Sequence, residues 1–207
     1  MATEPDHAAR WDDAYAHGDA IRSWFQAAPR MSMRMLDAAG VVVTDSLIDV
    51  GGGASPLAAT LLERGFRDVT VLDISAVALR QARQRLGPDA GRVHWLIADI
   101  RTWRPPRRFQ AWHDRAVFHF LTAAPDRQQY LRAIGAATGA NAVAVFGCFA
   151  PDGPRQCSGL PVARYGPQEL ADALGPGWAL IADDRELHTT PAGLTQPFTW
   201  TALRRNP

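Results

Sequence analysis

From Ser46 onward the chain alternates between two apolar patterns. Short strand-like segments occur at 47–50, 69–72, 93–97, 109–113 and 142–149. Each is too short for a helix; 47–50 suits a buried parallel strand, and 142–149 is strongly apolar. Segments of helical period separate them. Residues 56–64 follow Ser55 as a cap and carry Pro56 at the first helical position; residues 75–86 open on Ser75 and stop at GPDAG; residues 126–138 form a third. After the fifth strand the pattern changes to a short helix, 166–174, and two longer strands, 178–188 and 195–204. The segment TTPAGLTQ between them suits an antiparallel pair but is too long for a two-residue hairpin. These patterns predict an α/β fold: a doubly wound, seven-stranded, mostly parallel sheet with an antiparallel last strand. Residues 1–45 show helical stretches and no strand, and are expected as a helical cap or lid across the carboxyl edge of the sheet. With no repeat and no linker, residues 1–207 are expected as one domain, cap 1–45 and core 46–207.

Composition narrows the chemistry. Apolar residues are 47% and charged residues 21% of the chain, ordinary for a soluble globular protein with a sizeable core. A formal net charge of +1 gives no global field toward nucleic acid or an anionic membrane. All 22 basic residues are arginine, which excludes lysine Schiff-base chemistry and a P-loop lysine. Two cysteines, Cys148 and Cys157, make neither a disulfide framework nor a cysteine zinc cage, and no metal is expected. The polar, acid-bearing N-terminus is unlike a signal peptide, and no window approaches the ~20 apolar residues of a membrane span. The expectation is a cytoplasmic monomer or homodimer without nucleic-acid or membrane partners.

The stretch LIDVGGGASP, 47–56, carries a strand into a glycine-rich turn. A dinucleotide fingerprint counted from Gly51 finds Gly53 in place but Pro56 at the third glycine, where close helix–strand packing needs the glycine. Asp49, two residues before Gly51, would repel a diphosphate and attract an amino group or a sulfonium. The turn therefore suits a nucleoside with a positive, phosphate-free tail.

IDVGGGAS resembles the first motif of class I S-adenosylmethionine-dependent methyltransferases, with Ser55 where that family often has its last glycine. The resemblance implies a Rossmann-like fold and S-adenosylmethionine as methyl donor, with S-adenosylhomocysteine as product. By the same resemblance Asp49, Gly51, Gly53 and Ser55 belong to the donor site. Asp73, ending VTVLD about 20 residues beyond the glycines, would accept the ribose hydroxyls, with Ile74 beside it. Asp99 in LIADIR would meet the adenine amino group, and Ile100 would line the ring's apolar face. WDDAY and SWFQ in the cap resemble a small bacterial subgroup of the family, and also some eukaryotic members that methylate protein lysines. Trp11 and Tyr15 are four apart on one helical face and can close over the donor, while Trp24 and Phe25 shape the acceptor pocket.

The acceptor is expected beyond the carboxyl ends of the fourth and fifth strands. Gln110 stands where the family often has an acid, so no role passes to it. His113, Asp114 and Arg115 follow at the strand end: Asp114 or His113 as a base or orienting group, Asp114 also near the donor and Arg115 on the acceptor, or an Asp114–Arg115 pair that only fixes the loop. His119 is expected as a packed histidine. Cys157, Arg164, His188 and Gln196 are expected to meet near the acceptor if the last strand pair folds back, with His188 a further candidate base; pairing of Arg164 with Glu169 or Asp172 is the structural alternative. The run RTWRPPRR, 101–108, reads as a solvated loop. The function expected is methyl transfer to a small-molecule nucleophile, by proximity and alignment for a thiolate or amine and with a base for a hydroxyl. The alternatives are a protein lysine methyltransferase and a non-catalytic donor-binding protein.

Overall fold

The computed structural model describes residues 7–16 and 23–207. In chain order the elements are α1 (His7–Ala16), α2 (Arg30–Ala38), β1 (Leu47–Val50), α3 (Leu57–Glu63), β2 (Val69–Asp73), α4 (Ala76–Leu86), β3 (Val93–Ile97), β4 (Phe109–Arg115), α5 (Ala124–Ala137), β5 (Thr138–Phe149), β6 (Gln156–Cys157), β7 (Leu160–Pro161), α6 (Pro167–Leu174), β8 (Trp178–Thr189) and β9 (Thr195–Arg205). Seven strands form one sheet in the order β3-β2-β1-β4-β5-β9-β8, and β9 alone runs against its neighbours β5 and β8. This is the Rossmann-like, mostly parallel sheet with an antiparallel last strand that the patterning predicts. The order reverses between β1 and β4, so a ligand crevice opens beyond their carboxyl ends.

Both sheet faces are covered, which is why β1 and β2 are buried at every position. Alternate side chains feed two apolar clusters. In β5, Val143, Val145 and Phe149 join the cluster containing α2 and α3, while Ala144, Phe146 and Cys148 join the one containing α5 and α6. Ser75 caps α4 as expected, its Oγ accepting from Ala78 N at 3.0 Å. Ser55 accepts from Leu57 N at 3.1 Å, so Pro56 precedes α3 by one residue.

Two features differ from the expectations raised by the sequence. Of the expected cap, residues 1–6 and 17–22 lie outside the described residues, and α2 does not lie across the carboxyl edge. It packs on the sheet face against β5, β8 and β9, because its methionine stripe, Met33 and Met35 with Leu36, has to be buried there. The second feature is the hairpin β6–β7, too short for any periodicity to mark. Its turn places Ser158 (φ 51°) and Gly159 (φ 71°) in the left-handed region that two-residue hairpins demand.

Candidate active site

Beyond Val50 the backbone turns through Gly51 (φ 66°) and Gly53 (φ 52°). Space makes the same demand as conformation. A Cβ on Gly51 would collide with Val117 Cγ2, and one on Gly53 with the Tyr15 hydroxyl. Over this turn opens a cavity of about 320 Å³, within the range of small-molecule sites. Gly51, Asp73, Ile74, Asp99 and Ile100 all line it, brought together by the parallel order of β1, β2 and β3. Gly53, Asp49 and Ser55 stand outside its lining; the latter two border a smaller recess of about 60 Å³ on the other side of the turn.

The two lining carboxylates differ. Asp73 is buried, and burial pushes its pKa up to about 7 despite hydrogen bonds from the Ser75 and Gly53 amides, with Asp49 and Asp12 adding like charge. Ser75 N donates to its Oδ1 at 2.8 Å. Asp99 is gripped by Arg101: Nε donates to both oxygens at 3.0 Å and Nη2 to Oδ2 at 2.6 Å. Burial opposes ionisation of Asp99, but the Arg101 bonds prevail and hold its pKa below the ordinary range. Arg101 thus corrects the reading of 101–108 as a solvated loop, since it lines the cavity. Arg107 does lie outside, paired with Asp68 at 2.5 Å and stacked 4.4 Å over Phe109. The i, i+2 spacing of Asp99 and Arg101 at a strand end was the signal that marked this pair.

One wall is aromatic. Trp11 meets Trp24 edge-on at 5.9 Å and Phe120 at 5.1 Å, and Tyr15 meets Trp24 at 6.0 Å. Among the contacts that fix α1 there, Asp12 accepts from Ser75 Oγ at 2.6 Å and from Val77 N at 3.0 Å, the latter at the positive end of α4; Gln81 Nε2 donates to Tyr15 O at 2.9 Å, and Arg10 donates to Ser158 O in the β6–β7 turn at 2.7 Å. Trp11, Tyr15 and Trp24 line the main cavity; Phe25 lines only the recess.

The end of β4 sorts its three polar residues. Register sets His113 beside Asp49, and His113 Nδ1 donates to Asp49 Oδ1 at 2.7 Å with both side chains buried. His113 Nε2 is then buried with no partner. The structure corrects the placing of Asp114 at the reacting atoms or the donor. It is fully buried, accepts from Val117 N (2.8 Å), Phe118 N (3.1 Å) and Tyr130 Oη (2.5 Å), and borders neither cavity. Burial raises its pKa to about 6 against those bonds. Nor does it pair with Arg115, which lines both cavities and donates Nη1 to Trp24 O at 2.9 Å. Ala116 follows with φ 73°, a strained conformation for alanine, held by its N–H on Gly147 O at 2.8 Å.

The expected meeting of Cys157, Arg164, His188 and Gln196 is also corrected. Cys157 lines the cavity, its thiol pushed up by burial. Arg164 donates to Pro151 O at 2.5 Å and Gly153 O at 3.3 Å, tying the loop before β6 rather than pairing with Glu169 or Asp172. His188 and Gln196 face each other across β8 and β9 and border neither cavity; His188 Nε2 contacts Ser23 O at 2.8 Å. His119 is buried among Phe120 and Phe149, and burial drops its pKa to about 3. Glu186, unmarked in the sequence, holds the 23–26 segment and the sheet together, accepting from Gln26 Nε2 at 2.7 Å and Trp200 Nε1 at 2.8 Å. Among the described residues no helix is long and apolar enough to cross a membrane, and no His/Cys/Asp/Glu group could hold a metal.

Comparison with known proteins agrees with this arrangement. Residues 47–139 match a methyltransferase-domain family model. Among solved structures, an enzyme converting a disulfide bond into a thioacetal group during echinomycin biosynthesis is similar at TM-score 0.75 and 22% identity, over 96% of this chain and 93% of that one. The 1,6-didemethyltoxoflavin-N1-methyltransferase of Burkholderia thailandensis, with 1,6-didemethyltoxoflavin and S-adenosylhomocysteine bound, gives 0.73 and 21% over 100% and 92%. The N-methyltransferase NodS of Bradyrhizobium japonicum WM9, complexed with S-adenosylhomocysteine, gives 0.70 and 13% over 95% and 98%. No curated protein matches the chain. Residues 47–139 thus carry a methyltransferase-domain match, and the chain as a whole has the fold of the S-adenosylmethionine-dependent methyltransferase structures it resembles.

Proposed function

We propose that the protein transfers the methyl group of S-adenosylmethionine to a nucleophile on a small molecule held between the ends of β4 and β5, the aromatic wall and the β6–β7 hairpin. The observation that carries this is the 320 Å³ cavity. Asp73 and Asp99 line it together with Arg115, Cys157 and Leu160. Asp73 accepts the ribose hydroxyls, and Gly51 brings the backbone close to the methionyl chain. Ile74 and Ile100 flank the adenine. Asp99 reaches the adenine amino group only by sharing its oxygens with Arg101. Trp11, Tyr15 and Trp24 cover the sulfonium, whose charge their ring faces attract. Alignment supplies most of the acceleration. Where the nucleophile is a hydroxyl or an ammonium, the base is His113 Nε2, which borders the recess and not the main cavity, so the nucleophile has to reach the recess; Asp49 holds the imidazole in the required tautomer. The structural neighbour that binds 1,6-didemethyltoxoflavin, a small molecule, supports the same reading.

The test incubates purified protein with methyl-labelled S-adenosylmethionine and a bacterial lysate split by size. Label in the small-molecule fraction is the expected result. Label only on a protein band would move the acceptor to a side chain and overturn the small-molecule reading.

A further inference from the structure

Among the described residues that line the main cavity, Arg115 alone has buried polar atoms left without a partner. Its Nη1 is used by Trp24 O, but Nε and Nη2, the other edge of the fork, are unmatched. A guanidinium keeps its charge under all ordinary conditions, so this edge is a cation withdrawn from water. The acid that most favours its charge is Glu186, but its oxygens accept from Gln26 and Trp200 and neither reaches Arg115 Nε or Nη2. Asp49 also lies near, yet its Oδ1 is held by His113. Cys157 and Tyr15 also stand near, and the Phe198 ring lies 5.0 Å from the guanidinium carbon. Neither protein acid closes the fork. The cavity that Arg115 lines must also accept a sulfonium, so two like charges would face each other in a water-poor space unless an anion enters with them.

We infer that the Nε–Nη2 edge of Arg115 binds a carboxylate brought by a ligand: the methionyl carboxylate of the donor or a carboxylate on the acceptor. This rests on the proposed donor site. A carboxylate has the planar, two-oxygen geometry that the fork matches. It would pair the buried cation and offset the sulfonium charge in one contact.

The test is calorimetric titration of wild type, Arg115→Gln and Arg115→Met with S-adenosylhomocysteine and with 5′-methylthioadenosine, which lacks the amino-acid end. The donor's carboxylate is the ligand if both variants lose about ten- to a hundredfold in affinity for the first and none for the second, the size of a lost charged hydrogen bond. The acceptor's is the ligand if S-adenosylhomocysteine binds unchanged, but benzoate raises the melting temperature of the wild-type complex, neutral benzamide does not, and both variants lose the response. Arg115→Met keeps the bulk and removes the unmatched charge, so it carries the test alone should the glutamine variant fail to fold. Variants within about twofold of wild type for S-adenosylhomocysteine, together with no benzoate response lost, would overturn the inference. Wild type failing to bind S-adenosylhomocysteine would instead overturn the donor site.

Discussion

Asp73 and Asp99 end neighbouring strands, line one cavity and stand in opposite electrostatic states. Asp99 is paired and ionised; Asp73 is buried beside acids with its pKa at about 7. Ribose hydroxyls donate to a carboxylate, so donor binding favours ionised Asp73 and releases a proton below pH 7. Affinity for S-adenosylhomocysteine is expected to rise up to about tenfold per pH unit toward pH 7 and level off above it. Asp73→Asn should bind weakly and without that slope; an unchanged slope would remove Asp73 from the ribose. Stability runs the other way. The folded pKa of Asp73 lies above its unfolded value of 3.8, so the ligand-free fold is favoured below about pH 4 and loses that contribution as pH rises through 7. Urea titrations across this window should show Asp73→Asn with a flatter pH profile than wild type. At Asp114, alanine would strand two amides and the Tyr130 hydroxyl in the core. A loss of roughly 3–5 kcal/mol in unfolding free energy is expected, with turnover per folded molecule little changed. A stable Asp114→Ala protein with abolished turnover would contradict a purely structural role for this carboxylate.

At the scale of elements, the central strands β1 and β2 were legible because burial on both faces leaves a period-free apolar signature, while the edge strand β3, only partly buried, still matches its expected range of 93–97. Asp73 and Asp99 were legible because each stands at the end of a strand segment. What patterning could not supply was direction. His113, Asp114 and Arg115 are consecutive, yet one pairs back to β1, one turns into the α5 side of the core and one enters the cavity. Strand alternation and the register to β1 decide this, and neither is visible without the pairing partner. The β6–β7 hairpin escaped because two-residue strands have no period; the Ser158–Gly159 turn was its single mark. That hairpin and α1 form one wall through Arg10 and Ser158. Trp11→Ala opens the aromatic side of this wall and is expected to weaken donor binding about three- to tenfold, for a desolvated cation–π contact of roughly 1 kcal/mol. Glu186→Ala, which releases the 23–26 segment and Trp24 with it, should raise the KM for acceptor and donor together, whereas Trp11→Ala acts on the donor. Steady-state kinetics with both substrates varied separates these two outcomes.

For the whole molecule, the order β3-β2-β1-β4-β5-β9-β8 turns a linear sequence into one working edge. Residues as far apart as Trp11, Asp99 and Cys157 line a single space because their strands or loops end on the same side. The methionine-rich α2 lies on a sheet face instead, so only part of the expected cap takes part in closure. The central claim is that this edge holds S-adenosylmethionine with its ribose on Asp73. Calorimetric titration of wild type and Asp73→Ala with S-adenosylhomocysteine at pH 8 tests it most directly. A one-to-one isotherm for wild type and at least about a hundredfold weaker binding for the variant, the loss of charged hydrogen bonds to two hydroxyls, is the predicted result. Equal affinities in two well-folded proteins would contradict it.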